Sequence, residues 1–142
     1  MIELPLAYIK EMASQIIFIS VFLGGFSATI LGTLILSQNS NKILKKLIVS
    51  TSLSAMSFIV TVFTMVQLVM LSIPGYPIET SYEDIMLPRI IGIVAFFIGL
   101  LSLIFVVSIS GWLQSRKLGI VTTTIGIIGL ILVLISTVSI KG

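Results

Sequence analysis

Residues 47–73 read LIVSTSLSAMSFIVTVFTMVQLVMLSI, an uncharged apolar run with hydroxyls set at helical intervals. Ser50, Ser54, Ser57, Thr61 and Thr64 follow at steps of 4, 3, 4 and 3, which brings them to one face of an α-helix. The run is long enough to cross a hydrocarbon core of about 30 Å. It predicts a transmembrane helix with a polar line down one side. Hydrocarbon offers that line no hydrogen-bonding partner, so another helix or water must meet it.

Three more uncharged runs, 12–36, 90–112 and 118–140, have comparable length. Apolar residues make up 57% of the 142-residue chain and charged residues 9%, against roughly 25% charged in a soluble domain. Mean hydropathy is +1.26. So little polar sequence cannot cover four buried soluble helices. The expected fold is all-α: one domain spanning residues 1–142, an integral membrane bundle of four transmembrane helices with short loops, its first partner the lipid bilayer.

The charges orient the bundle. Lys42, Lys45 and Lys46 lie in the first connection and Arg116 and Lys117 in the third, while Lys10, Arg89 and Lys141 fall on the opposite side. The positive-inside rule places the first and third connections in the cytoplasm and both termini outside, in a plasma (cytoplasmic) membrane. Trp112 and the tyrosines Tyr8, Tyr76 and Tyr82 suit interfacial anchors at the two surfaces. The N-terminus, with Glu3, Lys10 and Glu11, lacks the basic region of a cleaved signal, so the first span is expected to be retained. In the longer outer connection, Pro74-Gly75-Tyr76-Pro77 predicts a turn, and Ser81 with Asp84 predicts a capped helix start ahead of Pro88.

The other spans carry small-residue lines. Ser20, Gly24, Ala28 and Gly32 recur every four residues in the first, a ridge that lets helix backbones approach closely. Gly92, Ala95, Gly99 and Ser102 step 3, 4, 3 in the third. Gly119, Thr122, Gly126 and Gly129 step likewise in the fourth, with Ser136 a heptad farther on. Alternating 3 and 4 is the period of a left-handed seam, whereas steps of 4 favour a right-handed crossing. No internal sequence repeat relates the two halves.

Several chemistries are excluded by what is missing. The chain has no cysteine and no histidine, so no cofactor or metal is expected, and the commonest general base is absent. No ionisable residue lies well within a span, which argues against proton-coupled transport. No proline breaks a span, and only Gly24-Gly25 offers a place for a kink. Glu79, Glu83 and Asp84 in the outer connection have no partner base, so catalysis is not expected. A net charge of +3 beside apolar spans reads as membrane orientation and not as nucleic-acid binding.

Two functional readings follow. In the first, the chain is an oligomeric channel or pore whose second helix faces a shared axis. Ser50, Ser54, Ser57, Thr61, Thr64 and the outermost Gln67 then line a water path, with Lys42 and Lys46 at the cytoplasmic mouth and Phe58, Val62 and Met65 beside the path as an apolar gate. In the second, the same face packs inside one closed bundle, and the chain is a structural or accessory subunit without transport activity. Both anticipate a homo-oligomer or a larger membrane complex, because four small-residue lines offer more packing surface than one bundle needs.

Overall fold

A computed structural model of the protein describes residues 6–37, 41–73 and 82–139. Helix α1 spans Leu6–Leu36, α2 Lys42–Leu71, α3 Tyr82–Ser110 and α4 Arg116–Ser139, with a single 3₁₀ turn at Gly111–Leu113 between α3 and α4. The fold is all-α, without strands among the described residues, and all four helices are long and apolar enough to cross a membrane.

The helices extend past the apolar runs because helix formation does not stop where hydrocarbon does. α1 includes Lys10 and Glu11, and α2 begins at Lys42. The helix expected near Ser81 is continuous with the third span and starts at Tyr82. Pro88 therefore lies inside α3, where it has no N–H to offer the carbonyl four residues back. α1 passes through Gly24-Gly25 without a break in its helical assignment. The Pro74–Pro77 turn, Glu79 and the cap at Ser81 lie outside the described residues.

The chain forms two compact units. The first comprises Met1–Phe26 and Ala55–Gly99, the second Ser27–Ser54 and Leu100–Gly142. The core of the first is Ile9, Ala13, Met65 and Leu68, with Ile16, Ile17, Val69, Ile85 and Ile93 packed against it.

One rule organises burial along every helix. On α2 the residues Leu44, Leu47, Thr51, Ser54, Phe58, Thr61, Met65 and Leu68 are buried, and Ser72 just past its end continues the alternation of 3 and 4 without a gap. On α1, Ala13, Ser20 and Ser27 are buried at intervals of seven. Gly92, Gly99 and Val106 do the same on α3, and Gly119 and Gly126 on α4. A seven-residue period keeps one stripe turned toward its neighbours, because two turns of helix nearly close on seven residues. α2 is the most enclosed helix: 39% of its most apolar stretch is buried, against 11%, 17% and 11% for α1, α3 and α4.

Candidate functional site

The hydroxyl face of α2 coincides with this seam only along its middle. Ser54 and Thr61 sit on it and are fully buried, and Ser57 beside them is 8% exposed. Ser50 and Thr64 flank the seam and are partly exposed. The face thus turns into the chain's own fold along its middle.

Backbone carbonyls engage the hydroxyls of Thr61 and Thr64. Thr61 Oγ1 donates to the Ser57 carbonyl at 2.8 Å, with a longer contact of 3.4 Å to the Gly92 carbonyl of α3. Thr64 Oγ1 approaches the carbonyls of Val60 at 2.9 Å and Thr61 at 3.0 Å. Thr51 donates to the Leu47 carbonyl at 2.7 Å, as does Ser72 to that of Leu68. Such back-bonding spends the hydroxyl proton on the turn below. Between helices, Ser54 Oγ meets Ser27 Oγ of α1 at 3.1 Å, a buried contact within the second unit. Ser27 belongs to no small-residue line read from the sequence, although it stands seven residues past Ser20.

In the first unit, large seam residues of α2 fill space left by glycines. A Cβ on Gly24 would come within 3.2 Å of Phe58 Cβ, and a Cβ on Gly99 within 3.1 Å of the Phe58 ring. Phe58 is completely buried and meets Phe96 edge-on, the centroids 6.1 Å apart at 71°. A Cβ on Gly92 would overlap Met65 and Thr64. Phe58 and Met65, placed by the pore reading beside a water path, are core residues here. Ala95 and Ser102 on α3 are half-buried.

α1 uses its ridge unevenly. Ser20 is buried, its Oγ without a hydrogen-bond partner, and Gly24 is half-buried against Phe58. Ala28 and Gly32 are exposed, and nothing lies within 4 Å of a Cβ on Gly32. A step of four residues advances about 40° around a helix, so the ridge rotates out of contact after two steps.

In the second unit, Gly119 lies under the Trp112 ring and Gly126 against Ser108. Thr122 Oγ1 reaches the Ser108 carbonyl of α3 at 3.0 Å. Gly129 faces open space. Lys42 and Lys46 are exposed at the start of α2.

Gln67 is exposed on α2. Its neighbour Leu68 packs in one cluster with Ile9 and Ala13, which sets Gln67 near the depth of Lys10 and Glu11. Charged side chains already occur at that level, so the amide has interfacial surroundings.

Among the described residues no group of acidic side chains is arranged to hold a metal ion. Comparison with protein-family models, with curated proteins and with solved structures finds no match for this chain.

Proposed function

We propose that the protein is a non-enzymatic structural or accessory membrane subunit, a helical bundle that works by lateral contact with further copies or a larger membrane complex. One observation supports this over the pore reading. The hydroxyl face of α2 is turned into its own chain, with Ser54 and Thr61 fully buried and Thr61 bonded to carbonyls. A lining residue of a water path needs its polar atom within reach of water, and these two are enclosed by the chain. The hydroxyls act instead as packing groups, small enough for close approach and polar enough to cap carbonyls.

The test is solvent access. The native chain has no cysteine, so Thr61→Cys and Ser57→Cys introduce unique thiols. Both are expected to resist a membrane-impermeant thiol reagent in intact vesicles, and the unmodified protein is expected to leave ion flux from liposomes at background. Fast labelling of both thiols together with flux above background overturns the reading and restores the pore.

A further inference from the structure

The first half of α2 has two faces, and both lie within the second unit. Leu44, Leu47, Thr51 and Ser54 are buried in the seam. Lys42, Lys46, Val49 and Leu53 follow at steps of 4, 3 and 4, and all four are exposed, as is Lys45 beside them. At 3.6 residues per turn these five side chains leave the helix within an arc of about 100°, on the side away from the seam. Val49 is 68% exposed and Leu53 50%, so the described residues leave this face uncovered.

The three lysines have no counter-charge nearby. No acidic residue occurs between Glu11 and Glu79, and the second unit contains none at all. Whatever covers the face must bring negative charge to one end of it and hydrocarbon to the other. A second copy does not fit. Copies inserted the same way pair about an axis along the bilayer normal, which sets each residue at the depth of its mate. The lysines of two copies would then meet each other.

Depth agrees with a lipid. At about 1.5 Å of rise per residue, Lys42 stands about 6 Å before Lys46, Val49 about 4.5 Å beyond it and Leu53 about 10 Å beyond it. Bilayer hydrocarbon begins about 15 Å from the midplane, and the headgroups reach to about 20 Å. With Lys46 at that boundary, Lys42 is level with the phosphates, while Val49 and Leu53 lie along the acyl chains of the same leaflet, short of the midplane. We propose that this face of α2 binds one anionic phospholipid, its phosphate among Lys42, Lys45 and Lys46 and an acyl chain along Val49 and Leu53. Charge selects the headgroup, because a zwitterionic lipid brings no net charge to the lysines. The lysine stems lie along the apolar face while their ammonium groups reach the headgroup layer. An acidic protein segment would match the charge alone, whereas a phospholipid matches the basic and the apolar part of one arc.

Native mass spectrometry of the full chain in nonionic detergent measures its affinity for phosphatidylglycerol and for phosphatidylcholine with identical acyl chains. Phosphatidylglycerol is expected to bind more tightly, by about fivefold for each lysine. K42Q/K45Q/K46Q is expected to abolish the preference, and K42R/K45R/K46R and R116Q/K117Q to keep it. Equal affinity of the native chain for the two lipids overturns the proposal, as does a preference that survives K42Q/K45Q/K46Q. The acyl contact is read in vesicles from a tryptophan introduced by Val49→Trp in a Trp112→Phe background. Phosphatidylglycerol brominated on its acyl chains, as a minority in phosphatidylcholine, is expected to quench that tryptophan beyond its share of the lipid. K42Q/K45Q/K46Q is expected to return the quenching to that share. Quenching at that share with the lysines present removes the acyl contact and with it the site. An equimolar tetraglutamate peptide is expected not to displace phosphatidylglycerol, and displacement overturns the lipid in favour of an acidic protein segment.

Discussion

The Phe58 ring of α2 occupies the place that a side chain on Gly99 of α3 would need, with 3.1 Å between the ring and that glycine's missing Cβ. Gly24 of α1 closes on the same phenylalanine at 3.2 Å. One large and two small residues thus form a lock whose parts have no meaning singly. Lipid tails are as apolar as phenylalanine, so the gain comes from close contact and not from escape from water.

Overpacking that lock is expected to destabilise the bundle. Gly99→Leu is expected to cost about 1–3 kcal/mol, and Phe58→Ala about 3–5 kcal/mol through the cavity it leaves. The double variant is expected to be more stable than the sum of the two, since the leucine enters the vacated space. Reversible unfolding in mixed micelles measures all three. Additive losses refute the lock.

The Ser27–Ser54 contact is expected to be modest. Ser54→Ala is expected to lose on the order of 0.6 kcal/mol, the typical worth of a hydrogen bond between membrane helices. Ser54→Leu is expected to lose several times more, because a buried seam position has no room for the larger side chain. A double-mutant cycle on Ser27→Ala and Ser54→Ala isolates the pair, and a coupling near zero assigns the effect to volume alone.

Gly126 and Gly129 separate two uses of glycine on one line of α4. A Cβ at Gly126 would overlap Ser108, whereas one at Gly129 meets nothing. Gly126→Ala is expected to destabilise by about 1–3 kcal/mol, with partial recovery in the Ser108→Gly background. Gly129→Ala is expected to stabilise by about 0.5–1 kcal/mol through helix propensity. Equal thermal shifts in the two variants refute the assigned packing.

Trp112 is the sole tryptophan and reports on the α3–α4 turn. Its Nε1 donates to Thr123 Oγ1 at 3.0 Å while its ring covers Gly119. Gly119→Leu is expected to lift the ring off and shift its fluorescence to the red, with stronger quenching by iodide. Thr123→Val removes the acceptor and leaves the ring in place, so only a small shift is expected. Unchanged emission in Gly119→Leu places the ring elsewhere.

Residues 47–73 and the three comparable runs determine four helices, because hydrocarbon leaves each run to pair its own backbone groups and each run has spanning length. Composition alone excluded cysteine and histidine chemistry. The sequence also contains the seven-residue period, but its polar residues do not mark which line is buried. Ser50 and Thr64 belong to the hydroxyl line yet flank the seam, while Thr51, Phe58, Met65 and Leu68 fill it. In water, apolar residues point inward and the contrast identifies the face. In lipid both faces are apolar, and a phenylalanine serves as well outside, as Phe18 does, as inside at Phe58. Small size is ambiguous in the same way: Gly99 receives Phe58, whereas Gly32 receives nothing. Only the opposing helix distinguishes them, because close packing belongs to pairs of surfaces. Tertiary structure therefore decided the direction of the α2 hydroxyls, and that direction supports the choice of a packing subunit over a pore.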